Sequence, residues 1–289
     1  MDASLMQLAD GRDLAWAEMG DPMGYPVFAF HGTPGSRHGF LIGSAPAKAA
    51  GARLIAPDRP GYGLSTRQRR RTLEGWANDV AQLADHLGVE HFAVLGVSGG
   101  GPHATACARF LPDRVSAAAL VSSVGSIAKP GSEAGMMLVN RFLSWAARTA
   151  PAANAPLLEL ISLLGRHAPE LRFWTQLKLM PAADARVLSR AEVRSSFVAS
   201  LAHASPTTGR AAAQEMDLFA RDWGFRLEDI TVPVQVWQGD ADRNVPVAHA
   251  ERQAAAIPGA VLHLVPGEGH VMFVDHFEEI LSGLLNSRT

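Results

Sequence analysis

The sequence predicts an α/β fold: a mostly parallel central sheet flanked by helices, with a helical insertion between its sixth and seventh strands. Three observations predict it. Short apolar runs alternate with amphipathic stretches over residues 1–125 and again over 226–289, and strands that alternate with helices build a parallel sheet covered on both faces. Between them, residues 126–225 read as helix after helix with no strand. The stretch VLGVSGGGPH, residues 94–103, sets one serine among glycines where an apolar run gives way to an alanine-rich one.

The elements follow in order. Residues 4–8 and 13–18 are two short strands around Asp10 and Gly11, a hairpin turn signal. VFAFH, residues 27–31, is a buried strand ended by Gly32. A short helix over 45–50 precedes a strand over 53–56. Leu73, Trp76, Val80, Leu83 and Leu87 recur at helical spacing and Gly88 stops that helix. A strand over 92–95, a helix over 102–110 and a strand over 115–121 complete the first block. The insertion holds LVNRFLSWAA, LLELISLLG, LRFWTQLKLM and SFVASLAHA. A strand over 234–238, a helix over 247–257, a strand over 261–265 and a helix over 273–285 then resume the alternation. The expected organisation is a core of residues 1–125 and 226–289 with a helical cap of 126–225. The cap is net basic and the core net acidic.

Composition bounds the function. A chain of 289 residues hides roughly three quarters of its unfolded surface. It is 47% hydrophobic and 19% charged with a net charge of −2, which speaks against a nucleic-acid partner. The arginine run at Arg67, Arg69, Arg70 and Arg71 is read as a solvated loop face. Cys107 is the single cysteine, the N-terminus has no secretory pattern, and no apolar stretch is long enough to span a membrane. The expectation is a reduced, cytoplasmic protein.

The serine explains the glycines around it. Residues 96–100 fit G-x-S-x-G between a strand and a helix. This is a nucleophile elbow: a sharp turn with strained angles lifts the hydroxyl of Ser98 clear of the sheet. Side chains at Gly96 or Gly100 would collide with neighbouring backbone. The amides at the start of the next helix face developing negative charge. A phosphate-binding turn is the competing reading, but neither G-x-G-x-x-G nor a Gly-Lys-Ser/Thr is present.

A serine hydroxyl needs a base, and the base needs an orienting group. For this kind of elbow the chain order is serine, acid, histidine. WQGDADRNVP, residues 237–246, puts carboxylates just past a strand, and VPGEGH, residues 265–270, puts a histidine on a Gly-rich loop. Asp242 is assigned to orient His270, and Asp240 to capping the turn. Glu268 is too close in sequence to His270 to reach round it. Gly267 and Gly269 leave that loop free to present the ring. His86, His103, His249, His263 and His276 lie within helices or a strand and read as structural. For the oxyanion, the amide of Gly99 is one donor. The loop HGTPGS, residues 31–36, supplies the second at Thr33, since Pro34 has no N–H. His31 reads as structural.

With these segments assembled, the sequence resembles the α/β-hydrolase fold superfamily, in its serine-nucleophile branch with a helical cap. The matching segments are HGTPG, DRPGYGLS, GVSGG, GDADRNVP and GEGH, in family order, from about residue 26 to the C-terminus. The resemblance implies Ser98, Asp242 and His270 as triad, Thr33 and Gly99 as oxyanion donors, and no cofactor or metal. It implies a serine esterase acting on small, hydrophobic substrates. A C–C bond hydrolase and a proline iminopeptidase-like enzyme remain alternatives, and a non-catalytic receptor of this fold is a fourth reading. Epoxide hydrolases and haloalkane dehalogenases, which the HG-x-P loop is also similar to, attack with a carboxylate where this chain has Ser98. Iminopeptidases carry a tryptophan where this chain has Gly99. Phe142, Trp145, Leu160, Leu163, Phe173, Trp174 and Met180 of the cap either line an acyl pocket or pack the cap.

Overall fold

The computed structural model describes residues 3–203 and 207–288. Met1, Asp2 and the last residue of the expected helical stretch 196–204 lie outside that range. The strands are β1 (Ser4–Gln7), β2 (Asp13–Gly20), β3 (Tyr25–Phe30), β4 (Ala52–Pro57), β5 (Phe92–Val97), β6 (Val115–Val121), β7 (Val234–Gly239) and β8 (Val261–Val265). They form one sheet in the order β1-β2-β4-β3-β5-β6-β7-β8. β2 runs antiparallel to β1 and β4, and the other pairings are parallel. The mostly parallel sheet that the alternation predicts is thus present, with an antiparallel edge.

Between the strands lie α1 (Ser44–Ala49), α2 (Leu73–His86) and α3 (Gly101–Phe110). From β6 to β7 the chain forms α4 (Leu138–Thr149), α5 (Asn154–His167), α6 (Pro169–Leu177), α7 (Ala182–Leu188), α8 (Ala191–Ala202) and α9 (Thr208–Phe219). α10 (Val247–Ala256) and α11 (Phe273–Asn286) flank β8. The first dozen residues of the inserted stretch are turns and irregular chain rather than helix.

Alternation along the strands divides the core. Phe28, Phe30, Phe92, Val94, Leu120 and Val236 face one side, where Trp76, Val80 and Leu83 of α2 and Cys107 of α3 cover them. Val27, Ala29, Ala93, Leu95, Ala119 and Val121 face the other, against Phe277, Ile280, Leu281 and Leu284 of α11. A period of two on each strand and both faces covered explain why β5 and β6 are buried throughout. Each buried phenylalanine is worth about 3–5 kcal/mol against truncation to alanine. Thr72 caps α2 by accepting the Gly75 amide at 2.9 Å. Gly88, with a φ of +65°, ends it.

The parallel strands β3, β5, β6, β7 and β8 point their C-terminal ends to one edge. The loops after β3, β5, β7 and β8 carry Thr33, Ser98, Asp242 and His270.

Candidate active site

Ser98 follows β5 with a φ of +55°, a left-handed conformation that is strained for a residue with a side chain. One tight turn, Ser98–Gly100, leads into α3. A Cβ on Gly96 would strike the backbone of Gly100, and one on Gly100 would strike the carbonyls of Phe30 and His31. The glycines therefore let three backbone segments meet under the serine.

The loops after β7 and β8 bring Asp242 and His270 to the same place. The Nδ1–H of His270 donates to Oδ2 of Asp242 at 2.8 Å, and its Nε2 accepts from the Ser98 hydroxyl at 3.0 Å. This arrangement fixes the tautomer, with Nε2 unprotonated towards the serine. Asp242 is buried and accepts twice more at Oδ1, from the amides of Asn244 and Val245 at 2.8 and 2.9 Å. Burial acts to lower the His270 pKa, but the charge and hydrogen bond of Asp242, joined by the charge of Asp184, outweigh it and hold it above its ordinary value.

The rival carboxylates lie elsewhere. Asp240 accepts the Gly267 amide at 2.7 Å and so braces the neighbouring loop. Glu268 pairs with Arg186 at 2.7 Å. Gly267 has a positive φ, as a freely turning residue would. Gly269 does not serve freedom: a Cβ there would strike the carboxylate of Asp184.

Three residues that sequence reasoning missed support the imidazole. Asp184 of α7 is fully buried, and its Oδ1 accepts the Val271 amide at 2.9 Å. Burial raises the Asp184 pKa, against the opposing pull of His270. Ser122, at the end of β6 with a φ of +47°, donates its hydroxyl to the His270 carbonyl at 3.0 Å. Gln238 donates to Oδ2 of Asp242 at 2.9 Å and to the Val245 carbonyl at 3.0 Å. A buried glutamine at the end of an apolar strand was a readable signal; Asp184 and Ser122 left none.

The loop after β3 lies across the serine. A Cβ built on Gly99 would come within 3.2 Å of the Thr33 nitrogen, and one on Gly32 within 3.4 Å of the Ser98 Cβ. The two amides singled out in the sequence are therefore neighbours beside the hydroxyl. His31 donates Nδ1–H to the Gly32 carbonyl at 2.8 Å and accepts the Arg59 amide at Nε2. Burial, with the charge of Arg59, pulls its pKa well down, so it is neutral.

Other expectations fare differently. Arg69 and Arg70 are exposed, but Arg71 is buried and bonded to Glu215, so the run is not a uniformly solvated face. Phe142, Trp145, Leu160, Leu163 and Trp174 are exposed. Phe173 is buried. The sulfur of Met180 lies 3.8 Å from the Asn244 side chain. Amphipathic spacing identified an apolar face on these helices but not what the face meets. His103 and His249 are buried and hydrogen-bonded to main chain. Among the described residues no helix is long and apolar enough to cross a membrane.

A family model described as alpha/beta hydrolase fold matches residues 25–277. The chain is 28% identical to a pimeloyl-[acyl-carrier protein] methyl ester esterase of Aromatoleum aromaticum, over 84% of this chain and 92% of that protein. It is 31% identical to a 2-hydroxy-6-oxononadienedioate/2-hydroxy-6-oxononatrienedioate hydrolase of Cupriavidus pinatubonensis, over 78% and 72%. The crystal structure of a hydrolase from Pseudomonas aeruginosa superimposes with a TM-score of 0.72 at 21% identity, covering 98% of each chain.

Proposed function

The chain belongs to the α/β-hydrolase fold family, and we propose that within it this protein is a serine hydrolase of carboxylic esters with small, hydrophobic substrates. The observation that carries the proposal is the hydrogen-bonded line from Asp242 through His270 to Ser98, at 2.8 and 3.0 Å. Its tautomer leaves Nε2 ready to take the serine proton.

In this reading Ser98 Oγ attacks the ester carbonyl as His270 Nε2 takes its proton. The negative charge on the former carbonyl oxygen falls to the amides of Gly99 and Thr33. One such donor is worth roughly 3 kcal/mol in the transition state. Asp242 holds the imidazole and stabilises the imidazolium. His270 returns the proton to the leaving alcohol. It then deprotonates a water that attacks the acyl-enzyme, and the acid departs. Residues 126–225 act as a cap over this edge, since α7 touches the histidine loop and α9 the Thr33 loop. The ester assignment draws on the Aromatoleum relative, whose name is that of a methyl ester esterase.

The test is turnover of a short-chain aryl ester by the wild type and by Ser98→Ala. Loss of turnover with the fold intact supports the reading. Ligand binding without turnover in the wild type would establish the receptor reading instead. A second reading is hydrolysis of a carbon–carbon bond beside a ketone, and the Cupriavidus relative, named as the hydrolase of an oxo-dienedioate, supports it. Relative rates on an aryl ester and on a vinylogous 1,5-diketone acid separate the two.

A further inference from the structure

Against the Thr33 loop lies a buried charged cluster that the hydrolytic steps above do not use. Its centre is Glu215, carried by α9 and wholly buried. Oε1 of Glu215 accepts from Arg59 Nε and from an Arg71 guanidinium nitrogen, each at 2.7 Å. Oε2 accepts from Arg59 at 2.9 Å, from the Tyr62 hydroxyl at 2.8 Å and from the Thr33 hydroxyl at 2.5 Å.

Arg59 carries these contacts into the loop. One guanidinium nitrogen donates to the His31 carbonyl. The other donates to the Gly32 carbonyl at 3.2 Å and to the Thr33 hydroxyl at 3.1 Å. The Gly32 carbonyl and the Thr33 N–H are two ends of one peptide group. That peptide is trans, as the cis bond here is the next one along. In a trans peptide C=O and N–H point in opposite directions. A guanidinium on the carbonyl therefore aims the amide towards Ser98 and Gly99, and polarises it. His103, whose Nε2 lies 3.6 Å from Oε1 of Glu215, donates Nδ1–H to the Gly99 carbonyl at 3.0 Å.

Two guanidiniums share the single carboxylate of Glu215. Burial opposes ionisation of Glu215, but the charges of Arg59 and Arg71 hold its pKa well below the usual carboxylate range. Burial and Arg59 keep His103 neutral. Asp79, the next carboxylate near Arg71, is taken up by both terminal nitrogens of Arg12. Within this buried cluster the guanidiniums act on the loop with little screening.

We infer that Glu215 and Arg59 are positioning residues that hold and polarise the Thr33 amide for an oxyanion, so that α9 belongs to the catalytic body although it lies in the inserted stretch. The inference rests on the serine-hydrolase reading. Its test compares Thr33→Val, Thr33→Ser and Glu215→Gln for kcat, KM, Tm and affinity for phenylboronic acid, which becomes tetrahedral on taking the Ser98 oxygen. Thr33→Val keeps the amide and loses the hydroxyl bonded to Glu215. It should lower kcat about tenfold, the worth of one hydrogen bond to a charged group. KM should stay within about twofold and boronate affinity should fall in step with kcat. Thr33→Ser keeps the hydroxyl and should restore both. Glu215→Gln, where it folds, should lower kcat further; if it does not fold, the Thr33 pair decides alone. A folded Thr33→Val enzyme with kcat or boronate affinity at the wild-type level overturns the inference. So does a fall in Tm with the kcat of the folded enzyme unchanged. Full turnover by Ser98→Ala would instead sink the underlying reading, and that control keeps the two failures apart.

Discussion

Replacing Asp242 by asparagine tests the hydrogen-bonded line at its buried end. The two main-chain amides on Oδ1, from Asn244 and Val245, can be met only by the carbonyl oxygen of the new amide. Its NH2 must then stand where Oδ2 stood, facing His270 Nδ1. There it offers a proton instead of accepting one. The imidazole is driven to carry its own proton on Nε2, and it can no longer take that of Ser98. A forced wrong tautomer of this kind costs on the order of 10⁴ in kcat, about 5 kcal/mol of barrier. The fold should survive. Gln238 loses its acceptor at Oδ2 but keeps the Val245 carbonyl.

The same substitution shifts the pH profile, with a definite sign. His270 must be neutral to act as base, so kcat/KM rises with pH through its pKa. In the wild type that acid limb lies above the ordinary histidine value of 6.5. Without the Asp242 charge, burial is opposed only by Asp184, and the limb moves to lower pH. Aryl-ester kinetics from about pH 5 to 9 measure both effects. A kcat within about tenfold of wild type, or a limb that stays in place, would refute the tautomer argument.

Three further outcomes are expected. Ser122→Ala removes the hydroxyl on the His270 carbonyl and should cost about 1 kcal/mol, seen as roughly a fivefold loss in kcat/KM; an unchanged value would mean that the loop holds itself. Asp184→Asn keeps an acceptor for the Val271 amide but removes a negative charge near the imidazole. Its acid limb should move to lower pH with kcat on the plateau little changed, and a limb moving upwards would contradict the assigned sign. Gly100→Ala forces a Cβ against the Phe30 and His31 carbonyls. It should destabilise by about 1–3 kcal/mol and displace the Thr33 loop, which thermal unfolding and kcat report together; an alanine enzyme as stable and active as wild type would show that the close approach is not needed.

The elbow was legible in the sequence because its demands are local. The glycines at 96 and 100 and the serine between them are dictated by one turn and its immediate neighbours. The central strands β3, β5 and β6 were legible because each is a largely apolar run bounded by turn residues. The order of Ser98, Asp242 and His270 could be read because parallel strands deliver their C-terminal ends to one edge. The support around them was not legible. Glu215 stands in AAAQEMD, which reads as an ordinary solvated helix face, and Asp184 in AADAR reads the same way. The five solvent-facing apolar residues on α4, α5 and α6 fit a pocket or a core equally well by spacing.

By itself, the sequence determined the alternating architecture, the glycine-bounded turn at Ser98 and the chain order of the residues that meet beside it. All of these follow from backbone sterics and from apolar periodicity over a few neighbouring positions. Only the tertiary structure decided that Glu215 holds Thr33 across 182 positions of chain and that Asp184 braces the histidine loop across 87. A buried carboxylate is set by the donors that surround it, and those donors come from distant elements that only the packed chain brings together.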